Sequence, residues 1–108
     1  MYSITYYSRK IFEEIMALPK TLRAGFLFLT NKMEEHGPHL GMPYTRAMGK
    51  GLFEIRIKGQ EGIARVFYCT KIGREIVMLH SFIKKTEQTP KKELDVAKKR
   101  MKEVMTND

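Results

Sequence analysis

Apolar and polar residues alternate most cleanly along Leu52 to Lys58. Phe53, Ile55 and Ile57 take one parity and Glu54, Arg56 and Lys58 the other, the period of a half-buried strand. Two more strands follow at short intervals, over 63–70 and 75–84. Their tight connections, Gly59-Gln60-Glu61-Gly62 and Ile72-Gly73, predict an antiparallel meander. Upstream, Tyr2 to Tyr7 is β-branched and aromatic and predicts a first strand. Ser8 then suits the N-cap of a helix over Arg9 to Leu18, with Ile11, Phe12, Ile15 and Met16 on one face. Pro19 opens a second helix, in which Leu22, Phe26, Leu29 and Met33 recur at helical spacing until Gly37-Pro38 stops it. Residues 37–50 read as a long loop, a length that favours function over plain connection. Thr89 and Pro90 start a last helix with Leu94, Ala97, Met101, Val104 and Met105 as its apolar positions. The expected order is β-α-α-β-β-β-α: an α+β domain with a small, mostly antiparallel sheet, the two N-terminal helices on one face, and a C-terminal helix.

Register carries the reading further. A short loop at Gly59–Gly62 sets Arg56 opposite Arg65, and a short turn at Ile72-Gly73 pairs Lys71 with Arg74 and sets Arg65 opposite His80. One face then holds Phe53, Ile55, Ile57, Ala64, Val66, Tyr68, Val77, Leu79 and Ile83, a credible core. The other holds Glu54, Arg56, Lys58, Arg65, His80, Phe82 and Lys84. It also carries Ile63, Phe67, Ile76 and Met78, which the last helix would partly cover. Facing arginines repel. The expected compensation is a polyanion from outside the fold.

Charge sharpens that expectation. The chain has 108 residues, read as one domain over 1–108, with a formal net charge of +8. Such a balance favours nucleic acid, an acidic partner or an anionic surface. Cys69 is alone, which excludes an intrachain disulfide and fits a reducing cytosol. No signal peptide is read at the N-terminus, which opens into a strand, and no apolar run reaches membrane-spanning length.

The basic face offers limited chemistry. It has one acid, Glu54, and no glycine-rich phosphate loop, no metal-ligand spacing and no Ser-His-Asp arrangement. Metal-free cleavage of RNA remains, because the 2′-hydroxyl supplies the nucleophile. The protein must then move protons and stabilise the phosphorane. Arginine forks grip phosphate in two places, and lysine or histidine can exchange protons. Phe82 among the cations is a candidate stacking platform. A bland alternative stands beside each: a solvated strand arginine, a hydrogen-bonded structural His80, a solvated Lys84-Lys85 pair, and a solvent-facing lysine stripe on the last helix.

Gly51 to Arg56, Ala64-Arg65-Val66-Phe67-Tyr68, and Ile76 to Thr86 with Thr89-Pro90 before a lysine-rich helix resemble the HigB-like toxins of type II toxin–antitoxin systems, phage-derived relatives included, within the RelE superfamily. The pattern covers roughly Gly49 to Arg100, and His80-Ser81-Phe82-Ile83-Lys84-Lys85-Thr86 is its most specific part. The resemblance implies a RelE-like fold and a cytoplasmic, ribosome-dependent mRNA endoribonuclease without metal or cofactor. It implies as partners the ribosome, mRNA and a HigA-type helix-turn-helix antitoxin. Carried to this chain, it implies catalytic roles for Arg56, Arg65 and Lys84. The residues themselves add His80 as the other proton-exchanging candidate, and Lys50, Lys58, Phe82, Lys85 and Lys99 as expected RNA contacts. The span Phe82 to Thr86 lacks the tyrosine that RelE-type enzymes can carry there. Two competing readings are a ParE-like toxin that binds DNA gyrase and a non-catalytic RNA-binding regulatory module.

Overall fold

In the computed structural model, which describes residues 1–86 and 88–106, the alternating segments become strands nearly where their pattern puts them. The elements are β1 (Ser3–Tyr6), α1 (Arg9–Met16), α2 (Lys20–His36), β2 (Thr45–Gly49), β3 (Leu52–Gly59), β4 (Gly62–Lys71), β5 (Glu75–Lys84) and α3 (Lys91–Thr106). The five strands form one mixed sheet in the order β1-β5-β4-β3-β2, with β1 parallel to β5 and every other pairing antiparallel. Ser8 caps α1 as its side chain predicts, accepting a 3.2 Å hydrogen bond from the Ile11 amide. The β3–β4 turn is the two-residue Gln60-Glu61, and Arg56 does stand opposite Arg65. No helix among the described residues is long and apolar enough to cross a membrane.

The loop expected over 37–50 contains a strand. Residues 45–49 pair with β3 from Thr45↔Ile55 to Gly49↔Leu52, so the order is β-α-α-β-β-β-β-α. β2 is an exposed edge strand without apolar alternation, so its sequence carries no period-2 signal.

β5 departs from the expected register as well. The turn before it holds three residues, Ile72-Gly73-Arg74, with φ of 89° at Gly73 and 66° at Arg74, and Lys71 pairs with Glu75 instead of Arg74. Farther along, Phe67 faces His80 while Tyr68 faces Met78, so Leu79 is an extra residue in β5. Beyond this bulge Arg65 lies opposite Phe82 instead of His80.

The longer turn exchanges the faces of residues 76–78, and the bulge restores the expected parity beyond Leu79. Ile76 and Met78 join Ile55, Ile57, Ala64, Val66 and Tyr68 beneath α1 and α2. Val77 and Leu79, expected there, pack instead with Leu52, Phe67, Cys69, Phe82 and Ala97 beneath α3. Ile83, also expected in the core, sits at the sheet's end and is more than a third exposed. The sheet is thus covered on both faces, by α1 and α2 on one and by α3 on the other. Close approach of α2 to β3 requires Gly25, where a Cβ would stand 2.9 Å from Ile57 Cγ2.

Candidate nucleic-acid interface

Alternation puts Glu54, Arg56 and Arg65 on the α3 side of the sheet, and β2 adds Arg46 directly opposite Glu54. Glu54 is fully buried. Its Oε2 lies 3.1 Å from Arg46 Nε and 3.1 Å from Arg56 Nη1, and its Oε1 lies 3.7 Å from Arg65 Nε. A single carboxylate therefore sits among three guanidinium groups. The compensation expected from outside is partly supplied from inside the fold, and two positive charges remain.

These arginines run from floor to rim. The side chains are 6% exposed at Arg65, 24% at Arg56 and 46% at Arg46. Burial lowers the Arg65 pKa first, and Arg56 and Arg46 lower it further against the opposing pull of Glu54. Arginine stays protonated under such pressure. Arg65 donates from Nη1 to the Ala64 carbonyl at 3.2 Å, while its buried Nε and the facing Glu54 Oε1 have no hydrogen-bond partner. The two unpartnered atoms face each other, so this contact is an ion pair without a hydrogen bond.

A groove of about 360 Å³ opens beside this cluster, where β2 ends and the edge of β3 continues. Arg56, Lys58 and Arg65 line one side, and Tyr44 and Phe28 supply aromatic surface. Tyr44 is held by two backbone hydrogen bonds, and a third at Thr45 fixes the same turn. Its amide donates to Gly41 O at 2.9 Å, its carbonyl accepts from the Arg56 amide at 2.8 Å, and the next residue's amide donates to the same Gly41 oxygen at 3.0 Å.

Other expected site residues fall into two groups. Lys84 is brought to the same face: the rung Lys58↔Ile63↔Lys84 lies beside the rung Arg56↔Arg65↔Phe82. His80 faces α3. Its Nε2 lies 2.8 Å from Glu93 Oε1 and its Nδ1 3.4 Å from Arg100 Nη1, a pattern that suits Nε2–H donating to the carboxylate. Arg100 also donates to the Leu79 carbonyl at 2.9 Å and lies 5.0 Å from the Tyr7 ring centroid. Both nitrogens of His80 thus serve to seat α3. Phe82 is 9% exposed and flanked by Phe67 and His80, with ring centroids 5.7 and 6.2 Å away. It is core beneath α3, not an open stacking platform, because it packs in the cluster that α3 covers. Lys50 and Lys85 are exposed in connections and Lys99 is exposed on α3, and none of the three lines the groove.

Sequence reasoning missed Arg46, Tyr44, Phe28 and the central place of Glu54. For Glu54 a signal existed: an acid two residues before an arginine on one strand shares its face. For Tyr44 the signal was only the length of the loop.

The cluster can bind a phosphate through exposed guanidinium edges and stabilise added negative charge on it. Among the described residues, no group of three or more His, Cys, Asp or Glu side chains is placed to hold a metal ion. The model of a family described as phage derived protein Gp49-like (DUF891) matches residues 13–102, a span that includes all four members of the arginine–glutamate cluster. No curated protein matches the chain.

Proposed function

This chain belongs to the phage derived Gp49-like family, and we propose that it acts as the toxin of a type II toxin–antitoxin pair, a HigB-like, ribosome-dependent mRNA endoribonuclease with a RelE-like fold. One observation carries the reading: Arg56 and Arg65, facing each other across β3 and β4, share one buried carboxylate beside an open groove. A site with surplus guanidinium charge and a fixed geometry suits a transition state more negative than its ground state.

In the proposed reaction the 2′-hydroxyl of mRNA attacks the adjacent phosphorus. The P–O5′ bond breaks, the 2′ proton leaves, and the departing 5′ oxygen takes up a proton. The products are a 2′,3′-cyclic phosphate and a 5′-hydroxyl. Arg65 and Arg56 hold the phosphorane oxygens. Lys84 shares their face, and it is the side chain we assign to proton exchange. The ribosome supplies the alignment of the 2′-hydroxyl, which this small surface lacks. A HigA-type helix-turn-helix protein is the proposed antitoxin, and the cytoplasm is the proposed compartment.

The test is single-turnover cleavage of ribosome-bound mRNA. Arg65→Ala keeps Glu54 paired with Arg46 and Arg56, so the fold survives, while cleavage falls by roughly 10²–10³-fold. Unchanged cleavage by the folded variant removes Arg65 from the mechanism. A 3′-hydroxyl product end overturns 2′-hydroxyl attack, and gyrase inhibition without mRNA cuts favours the ParE-like reading.

A further inference from the structure

The groove carries more than a phosphate contact. Its cations lie along one side, on β3 and β4, while two aromatic residues, Tyr44 at 48% exposure and Phe28 at 58%, also line it. The Tyr44 ring makes no hydrogen bond, ring stack or cation contact with any described residue. Its backbone is nevertheless pinned between Gly41 and Arg56. An exposed aromatic on an anchored backbone is a preorganised surface: little further ordering is needed to stack a planar group on it. Phe28 is less free, since Lys32 Nζ lies 5.0 Å from its ring centroid.

We infer that this groove is a single-nucleotide subsite, in which one RNA base stacks on Tyr44 while its 3′-phosphate is held by Arg56 and Arg65. Charge complementarity selects the occupant. A ligand that satisfies both sides must join an anionic group to a flat apolar one, as a nucleotide does and inorganic phosphate does not. At about 360 Å³ the groove is near the lower end of small-ligand clefts, so it accommodates one unit and not a run of bases. Lys58, at the same lining, is placed for a neighbouring phosphate. Stacking accepts any base, so the subsite positions the strand with little sequence choice. The inference deepens the proposed nuclease function by naming which part of the substrate lies where, and it rests on that reading for RNA as the ligand.

Titrating the full chain with uridine 3′-monophosphate and, separately, with inorganic phosphate tests it without ribosomes. Backbone amide shifts report binding, and the amide spectrum of each variant reports its fold. The nucleotide binds tighter than phosphate by about tenfold, and Tyr44→Ala removes about that factor for the nucleotide alone. Tyr44→Phe retains it, and Phe28→Ala gives a smaller loss. Equal affinity for the two ligands, no saturable nucleotide binding, or an unchanged affinity in Tyr44→Ala overturns the subsite even if mRNA cleavage is found. Nucleotide binding with this pattern in a protein that cuts no mRNA leaves the subsite standing and removes the nuclease reading.

Discussion

Glu54→Gln removes one negative charge from among three positive ones with almost no change of shape. Glu54 is fully buried, so water cannot replace what is lost. Two of its contacts are also sheltered: Arg56 is 24% exposed and Arg65 is 6% exposed. The Arg46 contact is nearly half exposed and contributes little, as surface pairs do. Breaking a buried ion pair from one side costs about 3–5 kcal/mol, because the opposite charge stays behind unpaired. For a domain of this size that corresponds to a fall in Tm of more than about 10 °C. Thermal unfolding followed by circular dichroism, with a urea titration beside it, measures the change. Two further results follow from the same cause. Glu54→Gln combined with Arg65→Met is more stable than Glu54→Gln alone, since the most buried unpaired cation is gone. Sulfate raises the Tm of Glu54→Gln more than that of the wild type, because a bound anion replaces the missing charge. If Glu54→Gln melts within about 2 °C of the wild type, the carboxylate does not hold the arginines together and the reasoning fails.

His80→Ala lowers stability by about 1–3 kcal/mol through lost contacts to Glu93 and Arg100, with cleavage by the folded fraction little changed; a large loss of cleavage at unchanged Tm would instead make His80 a proton-transfer group. Alkaline pH destabilises the protein. Burial pushes the Cys69 thiol up to about 11 and the Tyr68 phenol up to about 12, so the folded state keeps protons that the unfolded chain releases. The stability held by these groups is complete only well below the unfolded thiol's pKa of about 9, and is lost as pH rises through about 11 and 12; a urea midpoint that rises over this window would contradict the assignment. At neutral pH, alkylation of buried Cys69 tracks unfolding, and rapid labelling of the native protein would show that the α3 side of the core is open.

What could be read in advance divides along physical lines. β3 and β4 were legible because alternation and turn chemistry agree there, and the Arg56–Arg65 pairing followed from one short loop. The β5 bulge was not, because Ile76, Val77, Met78 and Leu79 are all buried and apolar, and a run without polar markers does not declare which side each residue takes. β2 was missed for want of any pattern, and Arg46 with it. Glu54 misleads by type: a glutamate between apolar neighbours reads as solvent-facing, and only the cations gathered by tertiary pairing show that it is buried. Phe82 reads as an open ring for the opposite reason, since α3 lies over it.

The parallel pairing of β1 with β5 bears on how the chain acquires this structure. Ser3 meets Glu75 and Tyr6 meets Met78, so the first strand made waits for the last before it has a neighbour to bond. The β3–β4 ribbon has no such delay, because its two-residue turn brings Arg56 and Arg65 together at small cost in chain entropy. During synthesis the two arginines can therefore meet early, while β1 stays unpaired until β5 has emerged. Distant pairings slow folding. The closure of β1 onto β5, and not the assembly of the charged ribbon, is the step expected to limit how soon a newly made chain becomes native.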